Sequence, residues 1–193
     1  MIIGITGTNG SGKGEVADYL VTKGFKHYSS RALIVEEVKR RGLPVNRDTM
    51  TSVSREMRAS QGAACIVEAL YKRAIADGGD AVIESIREIP GAEFLKSHGG
   101  YLIGVDANRE LRYERAVKRN SSTDGVSFEK FVQQEEEELH SSDPIHQNIC
   151  GVLKMADATV TNEGTREELH SKIDEVLEGF REQEKGTNRA RGA

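Results

Sequence analysis

A glycine-rich segment near the start of the chain constrains its fold more than any other feature. An apolar stretch at residues 1–5 is followed by Gly7, Thr8, Asn9, Gly10, Ser11, Gly12, Lys13 and Gly14, and then by helical spacing. This order, with lysine directly after the last glycine, matches the phosphate-binding pattern G-x-x-x-x-G-K. Small residues let backbone N–H groups converge on phosphate oxygens, and Lys13 adds a full charge. The segment predicts a nucleoside triphosphate site, whereas a merely flexible turn gives no reason for the lysine.

Length and composition describe one ordinary domain. The 193 residues suit a single α/β domain with a substantial core; 37% of them are hydrophobic and 30% are charged. The formal net charge of −4 gives no general attraction to nucleic acid or to an anionic membrane surface. We therefore expect a small-molecule partner, no nucleic-acid or membrane partner, and a monomer or small homo-oligomer.

The two cysteines and the N-terminus bear on the compartment. Cys65 and Cys150 each lie in an apolar helical pattern and form no C-x-x-C pair, so buried thiols are favoured over metal or redox roles. No apolar run approaches membrane-spanning length, and no basic region or cleavage site precedes the first strand. We expect a cytoplasmic protein.

Alternating apolar runs and helical patterns predict the fold class. Strands are expected at residues 1–5, 25–28, 81–83, 101–105 and 158–161. Helices are expected at 13–20, 33–41, 48–77 with a break near Gln61, 111–118, 127–139, 145–155 and 165–180. Strands joined by helices imply right-handed crossovers. The sequence thus predicts a three-layer α/β fold with a five-stranded parallel sheet, helices on both faces and a site at the carboxyl ends of the strands.

Three further expectations concern the organisation of the chain. One domain is expected over residues 1–182, with a flexible polar tail over 183–193. A polar loop is expected at 120–125. The acidic run at 135–138 is interpreted as a solvated helix face.

The chain resembles the nucleoside monophosphate kinase group of P-loop proteins, which includes adenylate kinases and dephospho-CoA kinases. Adenylate kinases carry G-x-x-G-x-G-K-G-T, and residues 7–14 follow this pattern with Gly14 after the lysine. The resemblance implies ATP and Mg²⁺ as cofactors, a helical acceptor-binding insertion near residues 30–75 and a short lid near 115–128. Because Gly14 supplies no hydroxyl, magnesium would be held largely through water.

Glu15 departs from the pattern of the group, which usually has threonine there to meet a phosphate. We place Glu15 among the ATP-binding residues. Beside a triphosphate its carboxylate would repel the ligand unless it turns aside or faces the metal. Glu15 is therefore the residue that favours a third hypothesis, a nucleotide-binding regulator with little turnover.

The segment after the second strand bears on the acceptor. His27-Tyr28-Ser29-Ser30-Arg31 resembles the adenylate-kinase segment His-x-Ser, which implies that Ser29 and Arg31 contact the acceptor. Dephospho-CoA kinases place an aspartate near this point, but no carboxylate stands between residues 25 and 35. An acceptor phosphate is already a nucleophile and needs no general base, whereas a hydroxyl benefits from one. The sequence here favours a phosphate acceptor.

The end of the third strand offers candidates for metal and acceptor binding. Glu84-Ser85-Ile86-Arg87 resembles the Asp-Gly-x-Pro-Arg turn of the group, with the arginine one place early. The resemblance implies that Glu84 orients magnesium-bound water and that Arg87 holds the acceptor phosphate in a bidentate contact. A strand-end cap is the alternative for Glu84. Arg58 resembles a helical arginine near the acceptor in related archaeal kinase-like proteins, with an exposed helix cation as its alternative.

Arginines of a later helix complete the candidate site. Arg112, Arg115 and Arg119 share one helix face. Arg115 and Arg119 resemble the paired lid arginines of the group, which stabilise transition-state charge; a solvated basic face is the alternative.

A loop near the C-terminus resembles a nucleotide-contacting segment. Residues 156–164 are similar to the dephospho-CoA kinase segment Ala-Asp-x-Val-Ile-x-Asn-x-Gly. The resemblance implies that Asn162 and Gly164 contact the adenine of ATP through the backbone. A tight turn before the next helix explains both residues equally well.

Together these features predict an ATP-dependent phosphotransferase. The first choice of acceptor is a nucleoside monophosphate, with Lys13, Arg87, Arg115 and Arg119 as the catalytic set. The alternatives are a dephospho-CoA kinase-like enzyme that phosphorylates a ribose hydroxyl, and the regulator.

Overall fold

A five-stranded parallel sheet forms the centre of the computed structural model, which describes residues 1–119 and 126–191. The strands are β1 (Ile2–Gly7), β2 (Lys26–Ser29), β3 (Ala81–Glu84), β4 (Tyr101–Asp106) and β5 (Ala158–Thr161). Their order is β2-β3-β1-β4-β5, and every neighbouring pair is parallel. The predicted fold class is confirmed.

Helices cover both faces of this sheet. They are α1 (Lys13–Thr22), α2 (Ser30–Arg40), α3 (Arg47–Gln61), α4 (Cys65–Asp77), α5 (Ile89–Ser97), α6 (Arg109–Lys118), α7 (Phe128–Leu139), α8 (Ile149–Lys154) and α9 (Arg166–Arg191). Successive strand residues point to opposite faces, so Val82 and Ile83 enter different cores. Val82 packs with α1 and α9, and Ile83 packs with α2 to α5 and α8. Among the described residues, no helix is both long and apolar enough to cross a membrane.

Strand register gathers the candidate residues at one edge. Ile5 of β1 pairs with Glu84 of β3, and Glu84 pairs in turn with Ser29 of β2. The loop that follows Gly7 therefore begins at the same edge of the sheet as the ends of β3 and β2. As expected for parallel strands, the carboxyl edge of the sheet carries the candidate site.

Helix α5 was not predicted, because Pro90 and Gly91 suggest a loop. Proline is tolerated in the first turn of a helix, where its missing N–H has no intrahelical partner. Gly91 is needed for close packing, since a Cβ there would lie 2.7 Å from Cγ2 of Val67. Tertiary packing therefore overrides the local signal.

Two helix boundaries also differ from the prediction. The helix expected at 145–155 begins only at Ile149, because Asn148 caps it by accepting a hydrogen bond from the Gly151 N–H at 2.8 Å. The last helix continues beyond residue 180 to Arg191. Its predicted start is sound: the Glu168 N–H donates to Thr165 Oγ1, and the Thr165 N–H donates to Glu168 Oε2. The loop expected at 120–125, and with it part of the expected lid, lies outside the described residues.

The interpretation of the acidic run as a solvated face is wrong for two of its members. Glu135 is buried and forms ion pairs with Arg112 and Arg109 of α6. Glu138, one turn later on the same face of α7, contacts arginines of other elements. These carboxylates face inward because they pair with arginines that lie far away in the sequence. A run of acidic residues does not indicate such partners.

The buried pair between Arg112 and Glu135 gives a stability prediction. Arg112→Met leaves Glu135 buried with only the partly exposed Arg109 beside it, so we expect the free energy of unfolding to fall by about 3 kcal/mol. Urea denaturation measures it. Glu136→Gln, on the exposed face of α7, is the control and should change stability by less than about 0.5 kcal/mol. A loss below about 1 kcal/mol for Arg112→Met would contradict the importance of this pair.

Candidate active site

The loop between β1 and α1 has a backbone shape that requires glycine at two places. Gly10 and Gly12 have φ angles of 77° and 102°, in the left-handed region. A Cβ on Gly10 would lie 2.2 Å from the backbone oxygen of Arg112, and one on Gly12 would lie 2.1 Å from Nδ2 of Asn162. Both the conformation and the close neighbours therefore exclude other side chains. The loop is packed against other elements rather than flexible.

Asn162 supports this loop through its side chain. Its Nδ2 donates to the backbone oxygen of Ser11 at 2.9 Å, and its own backbone oxygen accepts from Nη1 of Arg115 at 2.9 Å. The side chain is buried. Asn162 thus joins the phosphate-binding loop to the helix that carries Arg115, a role the sequence did not suggest. The predicted contact of its backbone with adenine stays a prediction, as does that of Gly164, whose tight approach to Glu168 suits a turn.

Lys13 is buried at the base of the loop. Its Nζ donates to the backbone oxygen of Thr8 at 2.6 Å. Burial, followed by the positive charge of Arg87, lowers the pKa of Lys13 from 10.5 to about 7. An unliganded site therefore holds this ammonium poorly, and a phosphate group would supply the counter-charge that is missing.

Glu84 is the carboxylate whose charge acts most strongly on Lys13. Burial raises its pKa, but the hydrogen bond with His27 at 3.0 Å and the charges of Lys13 and Arg87 together hold the pKa below its ordinary value. The same hydrogen bond raises the pKa of His27. Glu84 is therefore ionised at neutral pH and faces the cavity.

These residues fit a magnesium ion held mainly by phosphates and water. The part of the chain that the structure describes contains no group of three or more acidic, histidine or cysteine side chains suited to a metal. A Cβ on Gly14 would meet open space, so the missing hydroxyl leaves room for water. Mg²⁺ commonly keeps several waters and takes one or two carboxylates plus substrate phosphates. Glu84 is the carboxylate available for that role.

Glu15 turns toward α9. Its Oε1 accepts from Nε2 of His170 at 2.9 Å and pairs with Nε of Arg166 at 3.1 Å. The His170 ring stacks on Tyr19, with centroids 3.8 Å apart. Of the alternatives that the sequence left open, the structure favours the one in which the carboxylate turns aside, although Glu15 still borders the cavity.

One cavity of about 600 Å³ brings most of the predicted residues together, a volume in the range of small-molecule sites. It is lined by Asn9, Gly10, Gly12, Lys13, Gly14, Glu15, Ser29, Arg31, Arg58, Glu84, Arg87, Arg115 and Arg119. Gly7, Thr8, Ser11, Asn162 and Gly164 do not line it. Ser29 also caps α2 by accepting from the Ala32 N–H at 3.3 Å.

The arginines of α6 lie against the phosphate-binding loop. Arg115 donates to Asn162, and Nη2 of Arg119 donates to Oδ1 of Asn9 at 3.1 Å. Arg112 instead lies buried beside Glu135. The three arginines therefore do not form a solvated basic face, and Arg115 and Arg119 border the cavity while Arg112 is structural.

The acceptor-side arginines have carboxylate partners. Arg58 is buried and ion-paired with buried Glu88, so the alternative of an exposed helix cation is wrong. Nη1 of Arg87 contacts Oε2 of Glu138 at 3.0 Å and Oε1 of Gln147 at 3.1 Å. Between Glu84 and Arg87, Ser85 has a φ of 69°, a conformation uncommon outside glycine. It stands where the Asp-Gly-x-Pro-Arg pattern has its glycine.

Sequence reasoning missed several residues of this site, three of them polar side chains that form one cluster with Arg87. Arg47, Glu138 and Gln147 line the cavity beside Arg87. Arg47 and Glu138 come from helices far apart in the chain, and the signal that could have indicated Glu138 was its place in the acidic run. Gln147 lies in a segment that was expected to be helical.

Comparison with known proteins agrees with the architecture. A family model described as an AAA domain matches residues 3–141. A UPF0200 protein of Pyrobaculum aerophilum is 32% identical over 179 residues, covering 91% of this chain and 96% of the relative. A UPF0200 protein of Pyrococcus horikoshii is 29% identical over 188 residues, with coverage of 92% and 96%.

Similar solved structures include small-molecule kinases. Shikimate kinase from Acinetobacter baumannii, in complex with shikimate, aligns with a TM-score of 0.58 at 20% identity, covering 92% of this chain and 93% of that one. A gluconokinase from Sinorhizobium meliloti aligns with a TM-score of 0.54 at 16% identity, covering 97% and 95%. These likenesses show the P-loop kinase fold and do not single out adenylate or dephospho-CoA kinases.

The lowered pKa of Lys13 gives a prediction about nucleotide binding. Phosphates beside the ammonium restore its charge, so we expect MgATP binding at pH 8 to take up close to one proton. Above about pH 7, the affinity should fall by up to about tenfold per pH unit, because ever less free protein carries the protonated lysine. Calorimetry in buffers of different ionisation enthalpy measures the proton, and Lys13→Met should show none. Affinity independent of pH between 7 and 9 would contradict the assignment.

The position of Glu15 gives a second prediction. Because Glu15 is ion-paired with Arg166 and hydrogen-bonded to His170, away from the phosphates, Glu15→Thr should change MgATP affinity by less than about threefold. A titration followed by calorimetry is sufficient. Tightening by tenfold or more would mean that the carboxylate faces the phosphates.

Proposed function

The chain belongs to the UPF0200 family and to the AAA domain family, and we propose that it transfers the γ-phosphoryl group of ATP to a small anionic acceptor. The observation that carries this proposal is the cavity of about 600 Å³ with Lys13 at its base. Arg115 and Arg119 border it on the side of the phosphate-binding loop, and Glu84 and Arg87 border it on the side of the sheet edge. A donor phosphate and an acceptor would thus meet over Lys13.

Each charged group has a defined task in the proposed reaction. Lys13 bridges the β- and γ-phosphates of ATP. Arg115 and Arg119 balance the charge that spreads over the transferred group in a loose transition state. Glu84 would hold water on a bound Mg²⁺, an ion that would supply charge neutralisation to the phosphates.

A nucleoside monophosphate is our first choice of acceptor. Its phosphate is an oxyanion nucleophile, so no general base is required, and Arg87 would hold it by charge-assisted hydrogen bonds. Ser29, Arg31 and Arg58 would line the same region, within the helical insertion near residues 30–75. Arg58, already neutralised by Glu88, would act through hydrogen bonding rather than through free charge.

A hydroxyl acceptor is the second candidate, and the position of Glu84 favours it. No carboxylate follows β2, but Glu84 stands opposite Ser29 in the sheet register and is ionised. It could therefore take a proton from a hydroxyl group at the same edge. The likeness to a shikimate kinase bound to shikimate agrees with a small hydroxy acid as acceptor. A dephospho-CoA kinase-like reaction remains within this candidate.

The experiment is a coupled ADP-release assay over a panel of acceptors. Nucleoside monophosphates, dephospho-CoA and small hydroxy acids such as shikimate would be compared, with transfer verified by mass spectrometry. Lys13→Ala should lower turnover at least a hundredfold, since it removes the charge on the β- and γ-phosphates. Lys72→Ala, an exposed lysine of α4, is the matched control and should leave turnover unchanged.

The same assay separates the two acceptor classes. For a phosphate acceptor, Glu84→Gln should slow transfer in a way that excess Mg²⁺ restores, whereas for a hydroxyl acceptor the loss should persist. Tight ATP binding with no ADP release on any acceptor would overturn the proposal and support the nucleotide-binding regulator. The pairing of Glu15 with α9 weakens the sequence argument for that regulator.

A further inference from the structure

The acceptor end of the cavity holds a carboxylate between two arginines. Oε1 of Glu138 contacts Nη2 of Arg47 at 2.5 Å, and Oε2 contacts Nη1 of Arg87 at 3.0 Å. All three side chains line the cavity and keep between 17% and 28% of their surface exposed. One carboxylate thus uses both oxygens on two cations, as a bound carboxylate or phosphate would.

The charges around this cluster leave it unbalanced. Arg58, a buried arginine of the acceptor side, is ion-paired with buried Glu88. Among the described residues, Glu138 is the one carboxylate in direct ion pairs with Arg47 and Arg87, so two cations share one anion at contact distance. Gln147 also accepts from Arg87 at 3.1 Å and would keep its guanidinium in place without Glu138. The pair is therefore organised to receive a further or a replacing anion.

Helix α7 is anchored independently of Glu138. One turn earlier, Glu135 is buried in its ion pairs with Arg112 and Arg109, and Phe131 and Leu139 of the same helix are buried. Glu138 can accordingly leave the arginines by rotation of its own side chain while the helix stays in place.

We propose that Arg47 and Arg87 bind the anionic group of the acceptor, and that Glu138 holds their place until that anion replaces it. The inference rests on the proposed function and names its substrate class. A neutral acceptor cannot compensate for the displaced carboxylate, so the site selects acceptors that carry a phosphate or carboxylate. Ile34, Met50 and Ile66 line the adjoining wall and would contact the apolar part of such a molecule. The acceptor is therefore a small organic anion.

The test measures anion binding without requiring turnover. The protein is first saturated with Mg²⁺ and a non-hydrolysable ATP analogue, which fills the phosphate-binding loop, and inorganic phosphate is then titrated and followed by calorimetry. Glu138→Gln, close in shape to the natural side chain, should bind phosphate roughly tenfold more tightly because the internal competitor loses its charge. Glu137→Gln removes a charge from the exposed face of the same helix and should bind phosphate as the unaltered protein does.

A second substitution assigns the gain to the arginine pair. Adding Arg47→Gln to Glu138→Gln should abolish the tighter binding, and thermal melting of each variant verifies that it is folded. Unchanged or weaker phosphate binding by Glu138→Gln would overturn the proposal, as would a gain that persists without Arg47. AMP and shikimate titrated in the same way distinguish a phosphate-bearing from a carboxylate-bearing acceptor. Because the readout is binding, a failed ADP-release panel would leave this result separately interpretable.

Discussion

The buried ammonium of Lys13 is the interaction on which the rest of the site depends. Among the described residues its direct hydrogen-bond partner is the backbone carbonyl of Thr8 at 2.6 Å. Burial, Arg87 and Arg119 disfavour its charge, and Glu84 and Glu138 offset this only in part. Such a group is costly unless a ligand supplies negative charge. Asn162 holds the loop around Lys13 by a hydrogen bond to the backbone of Ser11, and Arg115 donates to the backbone oxygen of Asn162. The polar framework around Lys13 is thus arranged for a polyanion.

Three carboxylates around this framework have different partners and positions. Glu15, which faces toward α9, pairs with Arg166 and is hydrogen-bonded to His170. Glu84 stays ionised at the cavity wall. Glu138 balances two arginines at the acceptor end. Under the proposed function, the sign and position of these groups separate a donor region from an acceptor region within one cavity.

Local patterns in the sequence were sufficient for the sheet and for the loop. The glycine spacing predicted a phosphate-binding loop, and Gly10 and Gly12 in it have backbone angles that only glycine adopts readily. The apolar runs, together with the turn residues between them, located the five strands. Helix α5 was missed because Pro90 and Gly91 resemble loop signals, while the packing of Gly91 on Val67 is invisible in the sequence.

The sequence predicted where several charged residues of the site lie, but it did not predict which residues they form ion pairs with. Arg58 and Arg87 were placed near the acceptor, but their pairing with Glu88 and Glu138 joins residues from separate helices and loops. Arg47 carried no local signal at all. Long-range ion pairs depend on how helices pack, and helix packing is decided by the core rather than by the charges themselves.

The most direct test of phosphoryl transfer uses ATP labelled in its γ-phosphoryl group. The protein would be incubated with this ATP, Mg²⁺ and the small-molecule fraction of a cell extract, and the labelled products separated by mass. The proposed function predicts that label enters a small organic anion and that Lys13→Ala abolishes this product. Label found only in inorganic phosphate, or remaining in ATP, would contradict it.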